Sequence, residues 1–343
     1  MLVSVVVVNW NRCNLLRACL ESIRHQTGVR LEVIVVDNGS EDGSLEMVLQ
    51  EFSGYPGFNV RTISNSDNRG FCAANNQGIA LAQGEWIALL NNDAEAEPDW
   101  LAQLLKVTLD RPETGMVACK ILVHEDPTRI DKAGHLIYLD GQNRGRGTGQ
   151  IDRGQFDRIE EVLWPDGCAA LYRRSMLEEI GGFDEDFFAY ADDAELGMRG
   201  RIAGWSCIYT PHAVVRHHRG STLGLLSTHR LMLIERNRVL FAVKLFPWSL
   251  LWLNAPFYLA RIAAGLWAAM KGKGEVTRFP GLSGKLRIAA ALVRGNLQAL
   301  PLLPRMLRKR GALKPLRRLS NRQIRTLLIE NRISLKELME QAN

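Results

Sequence analysis

The sequence predicts an α/β fold, in which a mostly parallel, Rossmann-like sheet is followed by a basic, apolar helical region. First, β-branched strand-like runs alternate with amphipathic helical segments over residues 2–90, as in parallel sheets that are buried on both faces. Second, residues 1–215 hold 19 Lys and Arg against 32 Asp and Glu (net −13), whereas residues 216–343 hold 24 against 5 (net +19). The two parts are therefore expected to perform different tasks.

The individual elements follow from the spacing of apolar residues. Continuous β-branched runs predict buried strands, and apolar residues three or four positions apart predict helices. In chain order, the predicted elements are a strand at 2–8, a helix at 14–25, a strand at 31–36, a helix at 45–52, a strand at 60–63, a helix at 73–82 and a strand at 86–90. Ser40 or Asp42 is expected to cap the second helix.

Polar residues follow three of the predicted strands. They are Asn9 and Asn11 after the first strand, Asp37, Asn38 and Ser40 after the second, and Asn91, Asn92 and Asp93 after the fourth. Ligands of open parallel sheets bind beyond the carboxyl ends of the strands. We therefore expect these residues to line one crevice.

Two of the polar segments suggest a nucleotide. Asp37 could accept a hydrogen bond from the imide N–H of uracil or thymine, although an ordinary Asx turn with a helix cap is the alternative interpretation. Asn68, Gly70 and Asn75 belong to a turn that opens a helix, with amides directed at the same crevice. Taken alone, this segment favours a plain capped helix.

Asp93 is the candidate ligand for a divalent ion. A carboxylate just past a buried strand is costly without a partner, and hard oxygen ligands suit Mg²⁺ or Mn²⁺ bound together with a diphosphate. His217 or His218 could complete the metal shell, or bind phosphate together with Arg219. The alternatives are a turn residue at Asp93 and a surface histidine pair.

Asp193 is the candidate general base, within the acidic segment that contains Asp192 and Glu195. Transfer of a group by direct displacement requires a carboxylate that takes the proton of the acceptor hydroxyl, and crowded carboxylates raise one another's pKa. The alternative is a solvated acidic helix N-terminus, which the helix dipole favours.

Together these motifs resemble the family 2 glycosyltransferases of the inverting GT-A class, particularly the bacterial rhamnosyltransferase-like members that build cell-surface polysaccharide. The resemblance covers residues 2–221 and rests on the motifs Val-Val-Asn-Trp-Asn, Asp-Asn-Gly-Ser, Asn-x-Gly-Phe, Leu-Asn-Asn-Asp, Gly-Gly-Phe-Asp-Glu, the paired Asp segment and His-His-Arg-Gly-Ser. It implies a nucleotide-sugar donor such as dTDP-rhamnose or a UDP-hexose, inversion at the anomeric carbon, Mg²⁺ or Mn²⁺ near Asp93, and a base at Asp193.

The sequence departs from the family pattern in places. Asn91 stands where the family usually has the first acid of Asp-x-Asp, so it would be a neutral metal ligand. The Gln-x-x-Arg-Trp signature of processive synthases is absent after Glu195. We therefore expect one sugar to be transferred per binding event, to a lipid-linked or saccharide acceptor.

We place a GT-A domain at residues 1–222 and a membrane-associating helical region at 223–343. Residues 249–270 are long enough to cross a bilayer, but Arg261 near their centre would cost about 2.5–3.5 kcal/mol. Residues 271–325 hold 15 Lys and Arg and one acid, Glu275, threaded through apolar stretches. This pattern favours attachment to an anionic membrane surface.

Two other classes of protein would explain part of the pattern. A nucleotidyltransferase on the same fold would release pyrophosphate from a nucleoside triphosphate. A nucleic-acid-binding protein would explain the basic half but not the acidic α/β half, so no nucleic-acid partner is expected. We see no secretory signal peptide, and the six cysteines suggest free thiols in a reducing cytosol, at the inner face of the cell membrane. Residues 124–163 are interpreted as a mobile loop or hairpin near the site.

Overall fold

The computed structural model describes residues 1–54, 57–218, 227–272, 279 and 281–340. The strands are β1 (Leu2–Asn9), β2 (Arg30–Asp37), β3 (Val60–Ser64), β4 (Trp86–Leu90), β5 (Ala94–Ala96), β6 (Thr114–Val123), β7 (Asp126–Lys132), β8 (His135–Ile137), β9 (Asn143–Gly145), β10 (Glu160–Glu161), β11 (Ala169–Arg173) and β12 (Ser206–His217). The helices of the first part are α1 (Cys13–Arg24), α2 (Ser44–Glu51), α3 (Gly70–Leu81), α4 (Trp100–Lys106), α5 (Arg174–Ile180) and α6 (Asp192–Ile202). Those that follow β12 are α7 (Thr228–Leu245), α8 (Trp248–Trp252), α9 (Asn254–Met270), α10 (Gly281–Ala299), α11 (Leu303–Ala312), α12 (Asn321–Glu330) and α13 (Leu335–Glu340).

One large sheet organises the first part of the chain. Its strand order is β10-β12-β6-β11-β4-β1-β2-β3, with β5 paired to β12 and β7 paired to β6. The four strands predicted from residues 2–90 run parallel, and β11 lies antiparallel between β4 and β6. The register places Asn9 opposite Asp37, so the polar residues that end β1 and β2 are neighbours. The predicted α/β class is confirmed, with a mixed sheet whose first four strands are parallel.

The sheet is buried on both faces, which explains the continuous apolar runs. Val5 and Val7 of β1 pack in the cluster that contains residues of α1, α2 and α4. Val6 points to the opposite face and packs in the cluster that contains residues of α3, α6 and α7. Successive side chains of a strand alternate between faces, so a strand covered on both sides needs apolar residues at every position.

The prediction that Ser40 or Asp42 occupies the N-cap position of α2 is wrong. Gly43 occupies the position before α2 with φ of 81°, and no side chain caps the helix there. Asp42, one residue earlier, accepts the backbone N–H of Ser44, the first residue of α2, at 3.2 Å, the Ser44 hydroxyl at 2.5 Å and the backbone N–H of Cys13 at 2.9 Å. The left-handed backbone available to glycine thus starts the helix, and the Asp42 carboxylate ties α1 to α2.

Residues 124–163 are more regular than a loop. β7 pairs with β6, and β8 and β9 form a separate two-stranded antiparallel sheet. Of the two sequence-based interpretations, the hairpin is the one that these pairings favour.

The helices after β12 pack on the first part of the chain. Leu240 and Phe241 of α7, and Met306 of α11, lie in the same buried cluster as Trp164 and Leu196. The division at residues 222 and 223 stays a prediction, and Arg219 to Ser221 of the histidine motif lie outside the described residues. Among the helices of the described ranges, none combines the length and the apolar character that crossing a membrane requires.

Candidate active site

Asn9 joins the ends of three strands at the carboxyl edge of the sheet. Its Nδ2 donates to Asp37 Oδ1 and to Ser40 Oγ, both at 3.1 Å. Its Oδ1 accepts a hydrogen bond from Asn92 Nδ2 at 2.6 Å. The predicted convergence of these polar residues is therefore present, and it is held by buried side-chain hydrogen bonds.

The Asp37 carboxylate is buried but not saturated. It accepts hydrogen bonds from Asn9, from the Ser40 hydroxyl at 2.6 Å and from the Ser40 backbone N–H at 2.9 Å. An ionised carboxylate offers about four lone-pair positions, and no donor among the described residues occupies the second one on Oδ2. Asn11 supports the same turn, because its backbone N–H donates to Ser40 Oγ at 2.9 Å and its side-chain oxygen accepts from Glu41 N–H at 2.8 Å.

The turn before α3 packs against the end of β2. Asn38 Nδ2 lies 3.3 Å from the Gly70 carbonyl and 3.4 Å from Asn68 Oδ1, which also accepts the Gly70 N–H at 2.9 Å. Gly70 has φ of 84°, and a Cβ there would collide with the ring of Phe188. Asn75 instead bonds to the Phe71 carbonyl of its own helix at 2.9 Å and is buried.

Asp93 and His217 face each other where β5 pairs with β12. Asp93 is buried, and within the described part of the chain its Oδ1 makes no hydrogen bond, although His217 Nε2 lies 3.4 Å away. The other ring nitrogen of His217, Nδ1, is 2.8 Å from Asp131 Oδ2. Metal-bound histidines characteristically have their second nitrogen held by a carboxylate in this way. The carboxylate oxygen and the oriented imidazole therefore fit a divalent ion.

The charge around His217 supports the same interpretation. Burial lowers the pKa of His217, but Cys168, Asp131 and Asp93 around the ring raise it well above its ordinary value. The two carboxylates thus stabilise positive charge at this position. A proton on the ring is one way to supply that charge, and a bound divalent cation with a neutral ring is the other.

The structure separates the two candidate histidines. His218 follows His217 on an extended backbone, so its side chain points to the other face. Its Nδ1 lies 2.8 Å from Glu125 Oε1, and its ring stacks on His124 with centroids 3.6 Å apart. Asn91 is half-buried, and its backbone N–H donates to the Cys168 carbonyl at 2.8 Å. His217 is therefore the histidine that lies beside Asp93.

Asp193 lies at the start of α6, in a cluster of buried charges. Its Oδ1 accepts the Ala194 N–H at 2.7 Å and its Oδ2 accepts the Gly167 N–H at 3.2 Å. His135 Nε2 lies 3.4 Å from Asp193 Oδ2 and 2.7 Å from Asp166 Oδ2. His135 therefore bridges the two carboxylates.

Asp166 is the fixed anion of this cluster. Burial raises its pKa, but Lys132, whose Nζ lies 2.5 Å away, and His135 together bring the pKa well below its usual range. Because Asp166 stays ionised, it can hold His135 in place beside Asp193.

The three acidic residues at the start of α6 have different environments. Asp192 is buried, and burial together with the charge of Asp193 raises its pKa well above the usual range. Burial also raises the pKa of Glu195, but the ion pairs with Arg199 at 2.8 Å and Lys244 at 2.6 Å lower it overall. Asp193 retains 13% exposure of its side chain, against 0% for Glu195. Of the three carboxylates, Asp193 is the best placed to meet a substrate.

The loop before α6 is strained and is held by α7. Phe188, Tyr190 and Ala191 have φ of 63°, 70° and 56°, in the left-handed region that non-glycine residues seldom occupy. Nδ2 of the buried Asn237 lies 2.9 Å from the Phe187 carbonyl, 2.8 Å from that of Ala189 and 2.7 Å from that of Tyr190. Strained backbone of this kind persists only where surrounding contacts impose it, and it is concentrated at functional sites.

Sequence reasoning missed several residues of this site. They are Asp131, Lys132, His135, Asp166 and Asn237. Asp131 is 86 positions from His217, and His135 is 31 positions from Asp166, so no local motif or spacing links them. The signal that could have found them is general: charged residues inside otherwise apolar segments need buried partners.

Comparison with known proteins identifies the family of the chain and several relatives. A model of glycosyl transferase family 2 matches residues 4–181. An N-acetylglucosaminyl-diphospho-decaprenol L-rhamnosyltransferase of Mycobacterium tuberculosis is 30% identical over 241 residues, which are 64% of this chain and 77% of the relative. An uncharacterized protein of Sinorhizobium fredii is also 30% identical, over 236 residues, and the match covers 65% of this chain but a quarter (25%) of that longer relative.

Solved structures share the fold. The mannosyltransferase PcManGT from Pyrobaculum calidifontis, in complex with GDP-Man and Mn²⁺, aligns with a TM-score of 0.51 and 22% identity, over 92% of this chain and 85% of that chain. Residues 1–349 of S. aureus TarS, in complex with UDP-GlcNAc, align with a TM-score of 0.54 and 18% identity, over 98% of this chain and 91% of that chain. At these identities the likeness establishes the fold alone.

Proposed function

Because the chain belongs to glycosyl transferase family 2 and is a glycosyltransferase with the GT-A fold, we propose that it transfers one sugar with inversion from a nucleotide-sugar donor. The proposed acceptor is a lipid-linked or other saccharide of cell-surface polysaccharide biosynthesis. We propose dTDP-rhamnose as donor; the name of the mycobacterial relative supports rhamnose as the transferred sugar and a lipid diphosphate as carrier of the acceptor. A UDP-hexose is the second candidate donor.

The donor base and diphosphate have separate proposed sites. The remaining acceptor position on Asp37 Oδ2 would take the imide N–H of uracil or thymine. Asp93 and His217 would hold Mg²⁺ or Mn²⁺, with Asn91 as a further oxygen donor. When bound, such an ion neutralises the charge that develops on the diphosphate leaving group.

Asp193 is the proposed base. Its partly exposed carboxylate would accept the proton of the acceptor hydroxyl as that oxygen bonds to the anomeric carbon and the bond from this carbon to the diphosphate oxygen breaks. Displacement on the opposite face inverts the anomeric configuration. Asp192, whose pKa is raised, would limit the accumulation of negative charge beside the base.

The observation that carries the proposal is the meeting of both groups around residues 166–168. The Gly167 N–H holds Asp193, while the Cys168 carbonyl accepts the N–H of Asn91 at 2.8 Å. One short segment thus contacts both the proposed base Asp193 and the proposed metal ligand Asn91. A displacement reaction requires these groups to act on the same donor and acceptor.

The test is incubation with a panel of nucleotide sugars and Mn²⁺, with measurement of the released nucleotide. We expect slow release of dTDP or UDP from one donor, and faster release when a lipid-linked saccharide acceptor is added. Release of pyrophosphate from a nucleoside triphosphate, without nucleotide release from any sugar donor, would favour the nucleotidyltransferase alternative instead.

We further propose that residues 223–343 attach the enzyme to the inner face of the cell membrane. Arg261 does not face outward, because it pairs with Asp140 at 2.5 Å and Glu235 at 2.8 Å. Large apolar side chains are exposed on the same group of helices, namely Trp252, Leu259, Leu266, Trp267, Met270, Leu282 and Leu286. Exposed apolar residues interleaved with Lys and Arg suit an anionic bilayer surface.

Replacing both Leu259 and Leu266 by Glu is expected to weaken binding to anionic vesicles by at least about tenfold. Each large apolar side chain contributes about 1.5–3 kcal/mol when it leaves water. Sedimentation with vesicles at low and high salt measures the effect, and high salt should weaken wild-type binding as well. Leu109→Glu is the matched control, because Leu109 is a 60% exposed leucine between α4 and β6, outside the helices that follow β12. Equal binding by the double variant and the control would refute this surface.

A further inference from the structure

A second cluster of potential metal ligands lies beside the site described above. It consists of Glu95 in β5, His124 after β6 and His218 after β12, each half-buried. We propose that these three residues form a zinc site, distinct from the pair Asp93 and His217. The proposal does not depend on which sugar or nucleotide the enzyme uses.

The distances fit the coordination sphere of zinc. Tetrahedral Zn²⁺ binds imidazole nitrogen and carboxylate oxygen at about 2.0–2.2 Å, which places neighbouring ligand atoms about 3.3–3.5 Å apart. Glu95 Oε1 lies 3.1 Å from His124 Nε2 and 3.6 Å from His218 Nε2. All three ligand atoms lie within 4.8 Å of one another. Small side-chain adjustments would therefore bring them onto one ion.

The two imidazoles are oriented for a shared ligand. Their rings stack with centroids 3.6 Å apart and planes inclined by 26°, and both Nε2 atoms face the Glu95 carboxylate. The Nδ1 of His218 lies 2.8 Å from Glu125 Oε1. When Nδ1 donates its hydrogen to Glu125, the lone pair of the ring is on Nε2, which is the tautomer that a metal requires.

The charge environment distinguishes this cluster from the other histidine-carboxylate group. Lys132 already neutralises Asp166 in the group formed by His135, Asp166 and Asp193. Glu95 has no such partner: among the described residues its ion pairs are with His124 and His218 alone. A cation bound here would thus meet a carboxylate that no lysine or arginine of the described ranges pairs with.

The ligands of this cluster favour Zn²⁺ over the Mg²⁺ or Mn²⁺ that is proposed to bind with the donor. Two imidazoles and one carboxylate are a common ligand set for Zn²⁺, with water or another ligand at a fourth, open position. The side chains of His124, His218 and Glu95 are 31%, 22% and 36% exposed, which leaves that position accessible. Binding would fasten the ends of β5, β6 and β12, and the last of these carries His217.

The test uses the full-length protein after treatment with a chelator. Zn²⁺ binding is measured by competition with a chromophoric chelator, and Co²⁺ is added separately to read the visible absorption of a tetrahedral site. We expect the wild type to bind Zn²⁺ at one site, and the affinity of that site to fall by more than about 100-fold in His124→Gln and in Glu95→Gln. Loss of even an outer-shell partner costs about 10–100-fold in metal affinity. Glu125→Gln should weaken it by about 10-fold.

Matched variants separate this site from other positions. His212→Gln alters an exposed histidine of β12, the strand that precedes His218. Asp93→Ala removes a ligand of the proposed donor metal. Both variants should bind zinc as the wild type does. Wild-type affinity and absorption in His124→Gln and Glu95→Gln would overturn the proposal. Loss of zinc binding in Asp93→Ala alone would overturn it too, by placing zinc at the donor site. Circular dichroism in chelator checks that each variant is folded. None of these readouts requires a nucleotide sugar, so they stay informative if the proposed transfer reaction fails.

Discussion

Asp193→Asn is expected to lower kcat for sugar transfer by about 10²–10⁴-fold, the usual contribution of a positioned general base. Donor affinity should change little, because Asp193 is proposed to act on the acceptor hydroxyl. The amide oxygen can keep one of the hydrogen bonds from the Gly167 and Ala194 N–H groups, while the amide nitrogen cannot accept the other, so circular dichroism should check that the variant is folded. Steady-state kinetics with acceptor, together with calorimetry of donor binding, measures the two effects separately.

Glu178→Gln is the control for this variant, since Glu178 is an exposed carboxylate on α5. A near wild-type kcat in Asp193→Asn would remove Asp193 from the role of base. Glu195 would be a poor substitute in that case, because it is fully buried between Arg199 and Lys244. Asp192 would then be the remaining acidic candidate at the start of α6.

Asp93→Ala is expected to weaken metal-dependent binding of dTDP or UDP by more than about 100-fold. Asp93 is the buried carboxylate beside His217, and its Oδ1 has no hydrogen bond within the described part of the chain. His217, whose Nε2 lies 3.4 Å from Asp93, keeps its contact with Asp131 through Nδ1, so the fold should persist. Calorimetry with nucleotide in Mn²⁺ and in chelator gives the metal-dependent part of the affinity.

Asp131→Asn provides a graded test of the same arrangement. Asp131 holds Nδ1 of His217 at 2.8 Å and would not touch the ion, so a loss of about 10–100-fold is expected. Asp99→Ala, at an exposed aspartate before α4, should bind as the wild type does. Unchanged metal-dependent affinity in both Asp93→Ala and Asp131→Asn would move the proposed ion elsewhere.

The alternation of elements could be predicted from the sequence because it depends on local spacing. Val5, Val6 and Val7 are all apolar since β1 is covered on both faces, and this pattern is legible without a structure. The edge at which Asn9, Asp37 and Asn92 meet followed from the same argument, because parallel strands end at a common edge. The family resemblance then supplied the roles that these residues are proposed to play.

The cap of α2 shows where local reasoning stopped. Ser40 and Asp42 are both good capping residues, yet Ser40 bonds to Asp37 and Asn9, and Asp42 bonds to α1. Each of these side chains also has a partner that is distant in sequence, Asn9 for Ser40 and Cys13 for Asp42. Propensity describes what a residue can do, whereas packing decides which partner it meets.

The sequence by itself determined the α/β class, the polar edge of the sheet and the contrast between an acidic and a basic half. Only the tertiary structure decided that His217 and not His218 lies beside Asp93, that His135 bridges Asp166 and Asp193, and that Arg261 turns inward to Asp140 and Glu235. The physical reason is the same in each case. Backbone periodicity is local and can be read from neighbouring residues, whereas a buried charge is stabilised by a partner that the chain brings near only after it has folded.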